Sequence, residues 1–341
     1  MGFPMRLACV ALLFVLAACS GPATIELRGP TMGTTWSVKL VPTPGLDRAV
    51  LERGIQAELD RVVAQMSTYE ADSDLVRFNR AAAGSWQVLP PEFFGVLQHA
   101  LDLARDTGGA YDPTVAPLVD LWGFGAAGRS RRIPSADEIA RARARLGWQR
   151  IRLDPATRRA WQPGGVWVDL SSIAKGFATD QVSHQLDRAG IEHYLVDISG
   201  ELRARGTRGD GRSWQVAIEK PDAASGAAGE ASELQRVVAL RDMSIATSGD
   251  YRHSFEHAGR RYSHHIDPRS GWPVEHRIAS VSTLARDCMQ ADATGTAIMV
   301  LGPEQGLAWA ERRGLAVLLV VREGEGFVER MSSAFAREIR R

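Results

Sequence analysis

Short apolar runs separated by turn residues fill the chain between residues 193 and 285, and they constrain the fold more than any other feature of the sequence. Clusters of Gly, Asp or Pro separate these runs at short intervals. Strands joined by such short connections favour a largely antiparallel sheet. The runs read HYLVDISG, WQVAIEKP, RVVAL, MSIATSG, YRHSFEH and RIASVSTLA.

Helical patterns precede and follow this strand-rich region. Apolar residues between Leu46 and Met66 recur at helical spacing, and PPEFFGVLQHALDLARDTGG begins with proline and ends with paired glycines. The segment PSADEIARARARLG has a serine N-cap and a glycine stop. Three more helices are predicted from about Ser172 to Ala189, from Cys288 onward, and from about Pro303 to Arg313. The predicted fold class is therefore α+β, with helices packed on a largely antiparallel sheet.

Two further stretches are typical of strands. TIELRGPTMGTTWSVKLV alternates around Trp36 and Val38, which predicts strands broken by a turn at Gly33. VWVDL, residues 166–170, predicts a strand that ends directly before the helix at Ser172. Because no internal repeat or low-complexity linker divides the chain, we expect one domain over residues 31–341.

The N-terminus has the composition of an exported lipoprotein. The apolar run from Leu7 to Ala18 is too short to span a bilayer and is typical of a signal peptide. The residues LAAC at 16–19 match the lipobox of bacterial lipoproteins, which predicts a signal peptide over residues 1–18, a lipid-modified Cys19 and a tether over residues 19–30. The alternative is an ordinary signal peptide that contains a cysteine by chance. We expect a periplasmic protein anchored to a bacterial membrane, with a weak preference for the outer membrane because Ser20 follows Cys19.

Composition argues against a nucleic-acid partner, and the positions of the three cysteines leave one of them in the folded body. The chain has 341 residues, 45% of them hydrophobic and 24% charged, with a formal net charge of +1. Nucleic-acid binding usually needs a basic face, so we expect no nucleic-acid partner. Once Cys9 leaves with the signal peptide and Cys19 is acylated, Cys288 remains in the folded body, where we expect a small buried residue.

The stretch CMQADATGTAIMVLG, residues 288–302, is an apolar helix interrupted by two oxygen-bearing side chains. Asp292 and Thr296 lie four residues apart, so that both point to one side of a helix. One interpretation is that Asp292 helps to cap the helix and Thr296 bonds back to a carbonyl. The other is that the two oxygens are ligands for a hard cation such as Mg²⁺. The local pattern leaves both open.

A second stretch, VDLSSIAKGFATD, predicts a helix with Lys175 in its first turn. Free backbone N–H groups, the positive end of the helix dipole and an ammonium group then converge, which suits a phosphate or pyrophosphate. A serine-capped helix with a solvated lysine is the structural alternative.

Four more stretches contain polar or aromatic side chains in turns. In GGAYDPT, Ala110, Tyr111 and Asp112 either line a ligand or form plain turn chemistry. Tyr69, after an apolar helix, either stacks on a ring or lies at the rim of the core, and Met32 in PTMGTTW is read as packing. In YSHHIDPRSGWP, the three titratable residues either exchange protons or belong to an ordinary loop. They are His264, His265 and Asp267.

Taken in this order and spacing, these stretches resemble the FAD:protein FMN transferase family, the ApbE-like flavin transferases. The resemblance runs from about Thr31 to Gly302 and implies an ApbE-like fold, FAD as substrate and Mg²⁺ as cofactor. It places Mg²⁺ on Asp292, Thr296 and the backbone carbonyl of Ser172. It places FAD against Met32, Tyr69, Ala110, Tyr111, Asp112, Asp169, Lys175, His264 and Ile266.

The resemblance also implies the reaction. A threonine hydroxyl of an acceptor protein attacks the FAD pyrophosphate, AMP leaves and FMN remains on the acceptor. Acceptors in this family are subunits of membrane or exported redox complexes of the quinone reductase or Rnf type. His264 is the first candidate for the general base and Asp292 the second.

Two other functions stay open at this point. One is an FAD pyrophosphatase, in which water replaces the acceptor. The other is a non-catalytic lipoprotein that binds FAD. An aromatic residue at the position of Tyr69 goes with transfer in this family, whereas some relatives with Asn there hydrolyse FAD.

Overall fold

The computed structural model describes residues 23–125, 132–221, 234–250 and 253–339. The predicted signal peptide and Cys19 lie outside these described residues, as does most of the segment DAASGAAGEASEL. Within the described ranges, no helix combines the length and the apolar composition that a bilayer crossing requires.

The centre of the fold is an eight-stranded sheet in the order β1-β2-β6-β7-β10-β15-β16-β17. Each neighbouring pair in this sheet is antiparallel. The predicted α+β class with a largely antiparallel sheet is therefore confirmed. The strands are β1 (Ile25–Thr31), β2 (Thr34–Leu40), β3 (Ser85–Val88), β4 (Arg152–Asp154), β5 (Arg159–Gln162), β6 (Tyr194–Ile198), β7 (Glu201–Arg205), β8 (Trp214–Glu219), β9 (Leu234–Leu240), β10 (Met243–Gly249), β11 (Ser254–His257), β12 (Arg260–Ser263), β13 (Ile266–Asp267), β14 (Trp272–Pro273), β15 (Ile278–Ala285), β16 (Ala316–Glu323) and β17 (Gly326–Met331).

The remaining strands of the described ranges form four small sheets. Three strands pair in the order β3-β5-β4, and three antiparallel hairpins join β8 to β9, β11 to β12 and β13 to β14. The small three-stranded sheet has no counterpart in the sequence prediction, because its strands are only three or four residues long.

Helices cover the main sheet and one another. Two of them, α6 and α7, pack side by side on its central strands: α6 lies on β6 and β7, and α7 lies on β10 and β15. A third helix, α1, packs against α6. The helices are α1 (Arg48–Met66), α2 (Asp74–Arg80), α3 (Pro91–Asp106), α4 (Ala116–Leu121), α5 (Ala136–Arg143), α6 (Ala174–Arg188), α7 (Cys288–Leu301), α8 (Pro303–Arg313) and α9 (Ser333–Glu338).

The main core lies between the sheet and these helices. It joins inward-facing residues of β2, such as Val38 and Leu40, to the buried sides of α1, α3, α6 and α7. A second cluster, with Trp214 and Phe335, fills the space between the other face of the sheet, the β8–β9 hairpin and α9. A third cluster around Trp122 and Tyr262 connects α4 and α5 to the β11–β12 hairpin. Helices α6 and α7 therefore lie between the sheet and the outer helices.

The strand predicted over residues 166–170 is wrong. Residues 166–170 are extended but do not join a sheet: the amide side chain of Asn79 takes the place of a partner strand, bonding to both the N–H and the carbonyl of Val168. This explains the strand-like alternation, since Val166, Val168 and Leu170 are buried. Strand β1 begins at Ile25, so residues 25–30 of the segment predicted as a tether pair with β2.

Candidate functional site

The close approach of α6 to α7 defines the centre of the site. Gly176 in the first turn of α6 faces α7 so tightly that an added Cβ would lie 2.4 Å from the carbonyl oxygen of Cys288 and 2.7 Å from Cβ of Asp292. A glycine is therefore required for the two helices to touch here. The backbone N–H of Gly176 donates a hydrogen bond of 2.9 Å to Oδ2 of Asp292.

Asp292 is thus neither a cap of its own helix nor a solvated charge. It is only 5% exposed, and it accepts its hydrogen bond from the N-terminal turn of a different helix. A carboxylate at that end of α6 is also favoured by the helix dipole. Thr296 lies one turn further along α7 and is half-buried.

The start of α7 is fixed by another residue of α6. The carboxylate of Asp180 accepts hydrogen bonds from the backbone N–H groups of Cys288 and Met289, each over 2.9 Å, and forms an ion pair with Arg203. Asp287, the N-cap residue of α7, makes no capping hydrogen bond with its own side chain. Asp180 therefore caps α7 from the neighbouring helix and fixes the position of Asp292 one turn later.

Lys175 lies beside Gly176 and is held by a carboxylate that the sequence did not single out. Its Nζ is 2.6 Å from Oε1 of Glu201, the first residue of β7. Glu201 is 4% exposed, and its second oxygen, Oε2, is buried without a hydrogen-bond partner among the described residues. One ammonium group therefore interacts with two buried carboxylates, by an ion pair with Glu201 and through its charge with Asp292.

The pKa values of these three groups follow from the presence of two carboxylates and one ammonium group. Burial raises the pKa of Asp292 to about 6, and burial together with the Asp292 charge raises that of Glu201 to about 8. Burial alone would lower the pKa of Lys175, but the Asp292 and Glu201 carboxylates outweigh it and hold the pKa above its ordinary value. Because the two carboxylates share the charge of one lysine, the second to ionise does so only at raised pH.

A turn beside the start of α6 brings further predicted residues into the site. The side-chain hydroxyl of Ser172 donates a 3.0 Å hydrogen bond to the phenolic oxygen of Tyr111. Tyr111 is buried; its burial, opposed by the Ser172 hydrogen bond and reinforced by the charges of Asp292, Asp169 and Asp112, raises its pKa. Ser172 and Tyr111 are therefore close to the Asp292 carboxylate.

Ala110 and Asp112 flank Tyr111. Ala110 is buried, and Asp112 accepts hydrogen bonds from the backbone N–H and the hydroxyl of Thr114, over 2.7 and 2.6 Å. Burial raises the pKa of Asp112 to about 6, although these two bonds oppose the rise. Asp169 accepts a 2.7 Å bond from the N–H of Ser171 and so shapes the turn into α6.

Tyr69 is exposed beside this arrangement, whereas Met32 contacts the main core. Tyr69 is 71% exposed, and partial burial together with the charges of Asp169 and Asp120 raises its pKa, which places the ring near Asp169. An exposed ring of this size is available to stack on a planar ligand. Met32 occupies the turn between β1 and β2 with φ of 47°, and its side chain packs against the main core.

The histidine loop brings His264 close enough to Lys175 for the lysine charge to act on its ring. His264 is partly buried, and its Nδ1 lies 2.9 Å from the carbonyl oxygen of His253. Burial lowers the pKa of His264 to about 4, with the charges of His253 and Lys175 acting in the same direction. The ring is therefore neutral near pH 7, with Nδ1 donating to the carbonyl and Nε2 left as a proton acceptor.

The neighbours of His264 have structural contacts. His265 is buried, and its ring bonds to the hydroxyl of Ser263 over 3.2 Å. Ile266 is buried in the third core cluster. Asp267 forms a two-point ion pair with Arg269 at 2.9 Å and accepts the N–H of Gly271, so it stabilises the turn between β13 and β14.

The residues around Asp292 fit a hard cation that takes its other ligands from phosphate and water. Among the described residues, no group of three or more His, Cys, Asp and Glu side chains is arranged to hold a metal. Mg²⁺ is commonly bound by one or two carboxylates together with phosphate and water, so it does not need such a cage. Asp292 and Glu201 share the single positive charge of Lys175, so a cation would supply the positive charge that the two carboxylates lack.

Local patterns could not have found Glu201 and Asp180. Glu201 follows the Ser199–Gly200 turn, where both residues have positive φ, and in sequence it reads as an ordinary hairpin glutamate. Asp180 reads as a solvated charge on α6. Cys288, by contrast, is buried as predicted.

Comparison with known proteins identifies the family of this chain. The profile that defines the ApbE family matches residues 32–319. The FAD:protein FMN transferase of Vibrio cholerae is 41% identical over 331 residues, which cover 96% of this chain and 97% of the relative. The FAD:protein FMN transferase of Haemophilus influenzae is 42% identical, with 96% and 95% covered.

Solved structures give the same result for the fold. The apo form of the flavinyl transferase ApbE from Pseudomonas stutzeri superposes with a TM-score of 0.85 at 42% identity, covering 94% of this chain and 98% of that one. The flavin transferase ApbE from Vibrio cholerae also gives 0.85, at 39% identity and with 93% and 99% covered. The chain described here belongs to the ApbE family.

Proposed function

We propose that this protein is an FAD:protein FMN transferase that requires Mg²⁺ and modifies a threonine of its acceptor. The observation that carries the proposal is the juxtaposition of Lys175, the first turn of α6 and the buried Asp292 carboxylate, which together make up the proposed phosphate-binding centre. Family membership and the names of the relatives support the transferase activity.

The chain's own groups bind and orient the pyrophosphate. The ammonium of Lys175 and the positive end of the α6 dipole attract its negative charge. Asp292, Thr296 and the Ser172 carbonyl are the residues that would hold Mg²⁺. When bound, Mg²⁺ neutralises phosphate charge as the bond to the leaving group breaks.

The transfer itself forms and breaks one bond. The acceptor hydroxyl oxygen attacks the phosphorus on the FMN side, the bond from that phosphorus to the bridging oxygen breaks, and AMP leaves with the bridging oxygen. The hydroxyl proton goes to a base. We propose His264 as this base and Asp292 as the second candidate: burial lowers the pKa of His264 to about 4, so its ring is neutral, and its Nδ1 bonds to the carbonyl of His253, which leaves Nε2 to accept the proton.

An FAD pyrophosphatase is the second candidate, because water at the same place would release free FMN. The exposed ring of Tyr69 favours transfer, since it stands at the position where transferases of this family carry an aromatic residue. A non-catalytic FAD-binding lipoprotein is disfavoured by the intact Asp292 and Thr296.

The proposed setting is the periplasm. We propose that Cys19 carries a lipid anchor on a bacterial membrane, with the outer membrane weakly preferred, and that acceptors are subunits of membrane or exported redox complexes of the quinone reductase or Rnf type. Two anchoring signals already give stable attachment to a bilayer, so a lipidated N-terminus would keep the enzyme at the membrane surface.

Mass spectrometry of an acceptor tests the proposal. The full chain is incubated with FAD, Mg²⁺ and a threonine-containing acceptor domain, and the acceptor is then weighed. A mass gain equal to FMN, lost when EDTA is added or in Asp292→Ala and kept in Asp287→Ala, is the expected result. AMP release with an unmodified acceptor would favour the pyrophosphatase, and tight FAD binding without AMP release would favour the binding protein.

A further inference from the structure

Glu201 is a buried carboxylate at the centre of the proposed phosphate site. One of its oxygens lies 2.6 Å from Nζ of Lys175, and the other is buried with no hydrogen-bond partner in the described part of the chain. Burying an unpartnered oxygen of a carboxylate is costly, so a residue kept in this state has a specific task.

The surrounding backbone holds Glu201 rigidly. It begins β7 directly after the tight turn at Ser199 and Gly200, and it pairs with Ile198 across the hairpin. The hydroxyl of Thr179 lies within hydrogen-bond distance of two backbone oxygens, at 3.0 Å from that of Lys175 and 3.3 Å from that of Glu201. The carboxylate therefore has a fixed position relative to the first turn of α6.

The ammonium of Lys175 cannot leave Glu201 to bind the ligand without a large cost in free energy. If the ammonium left, Glu201 would remain in the interior with neither oxygen paired, and leaving a buried charge uncompensated is strongly destabilising. An ammonium group has three N–H donors, of which Glu201 Oε1 takes one. Lys175 can thus keep Glu201 and still offer two donors to a pyrophosphate.

We propose that Glu201 is a positioning residue for pyrophosphate binding, which it serves by holding the ammonium of Lys175 at the start of α6. The inference rests on the proposed function, since it assumes that Lys175 faces the pyrophosphate of FAD. It assigns to Glu201 no contact with the ligand. Without Glu201, the flexible four-carbon side chain of Lys175 would have to be ordered by the ligand itself, which weakens binding.

Binding of two flavins separates this role from a general structural one. FAD carries the pyrophosphate and riboflavin carries no phosphate, so loss of Lys175 positioning weakens binding of FAD alone. Both are titrated by flavin fluorescence with the full chain in EDTA, which removes catalysis and metal from the measurement. The variants are Glu201→Ala, Glu201→Gln, Lys175→Ala and the double variant with alanine at both positions.

We expect Glu201→Ala to raise the Kd for FAD at least about tenfold and that for riboflavin less than about twofold. Glu201→Gln should restore most of the FAD affinity, because its amide oxygen still accepts a bond from Lys175. The double variant should be no weaker than Lys175→Ala, because the two residues act as one unit. Glu58→Ala is the matched control: Glu58 is also buried and paired, at 2.6 Å with Arg188, and its loss should leave the ratio of the two Kd values unchanged.

The outcomes distinguish this inference from the proposed function. If Lys175→Ala weakens FAD binding but Glu201→Ala does not, or if the double variant shows additive losses, the positioning role is wrong and the phosphate site stands. If Lys175→Ala itself leaves FAD affinity unchanged relative to riboflavin, the phosphate site is wrong and the inference fails with it. If Glu201→Ala does not fold, the comparison of Glu201→Gln with Lys175→Ala decides. A loss of FAD affinity relative to riboflavin in Glu201→Gln as large as that in Lys175→Ala would contradict the proposal, because the glutamine should keep Lys175 in place.

Discussion

Gly176 and Asp292 are joined by a hydrogen bond of 2.9 Å between a backbone N–H of α6 and a side-chain oxygen of α7. The bond connects the proposed phosphate-binding turn to the proposed metal-binding carboxylate. It exists only because Gly176 has no side chain, since an added Cβ would lie well inside contact distance of Cys288 and Asp292.

Gly176→Ala should therefore separate the two helices. We expect a loss of about 1–3 kcal/mol in the free energy of unfolding, as for other overpacked cores, together with loss of FMN transfer. Urea unfolding and the acceptor mass assay measure the two effects. Gly95→Ala is the control: Gly95 is exposed on α3 with open space around its Cβ position, and alanine there should stabilise the helix by up to about 1 kcal/mol. Equal stability of the two variants would contradict the close packing.

Asp180 should contribute more to stability than an ordinary helix charge. Asp180→Ala leaves two N–H groups of α7 and the guanidinium of Arg203 without this carboxylate, and breaking such a buried pair costs about 3–5 kcal/mol. Chemical denaturation provides the measurement. Asp287→Ala removes an exposed carboxylate 3.4 Å from the same arginine and should change stability by no more than about 0.5 kcal/mol. A similar small change for Asp180→Ala would show that α7 is held by other contacts.

The pH dependence of stability should report the buried Asp292. Its pKa of about 6 in the fold lies above the ordinary 3.8, so between these values the folded chain binds a proton that the unfolded chain has released. The contribution of Asp292 to the free energy of unfolding is therefore present at pH 4 and is lost as the pH rises through 6. Asp292→Asn stays neutral, so its stability relative to wild type should increase from pH 4.5 to pH 7, with EDTA present in both unfolding series. A constant difference across this range would contradict the raised pKa.

His264→Ala should lower the rate of FMN transfer by about 10²–10⁴-fold if the imidazole is the general base. Because burial lowers its pKa to about 4, His264 is neutral at both pH 6 and pH 8, and the loss should be equal at the two values. Initial rates of acceptor labelling give the measurement, and His257→Ala, an exposed histidine on β11, serves as the control. A loss smaller than about threefold would move the role of base to Asp292.

Tyr69 should decide between transfer and hydrolysis. The ring is exposed at the rim of the site, where it can cover a bound flavin and limit the access of water. Tyr69→Asn should raise the proportion of free FMN over acceptor-bound FMN, and Tyr69→Phe should not, because the ring remains. Chromatography of the products beside the acceptor mass gives both quantities. If Tyr69→Asn leaves the ratio of free to acceptor-bound FMN unchanged, Tyr69 does not determine whether water or the acceptor receives FMN.

The sequence predicted those parts of the fold that depend on local pattern. Apolar spacing identified α1, α3 and α7, and the i, i+4 relation placed Asp292 and Thr296 on one side of α7. Turn residues separated strands such as β6, β10 and β15, but the short strands β7 and β12 were missed. Residues 166–170 misled the prediction because alternating burial does not require a partner strand: one buried asparagine side chain supplies the hydrogen bonds instead.

The site could be predicted only in part, because its defining contacts join distant parts of the chain. The sequence marked Lys175 and Asp292, but the hydrogen bond between their helices spans 116 residues. Glu201 escaped notice since nothing near it in sequence indicates burial, which follows only from the packing of β7 under α6.

That separation along the chain also determines when the site comes into being. A nascent chain synthesised as far as residue 280 contains Lys175 and the whole of α6, but it has no α7 to complete the turn at Gly176. On the proposed function, such a chain has half of its phosphate-binding centre and none of the carboxylate that would hold the metal. On that function, flavin transfer can begin only when α7, which lies in the last fifth of the chain, has folded onto α6.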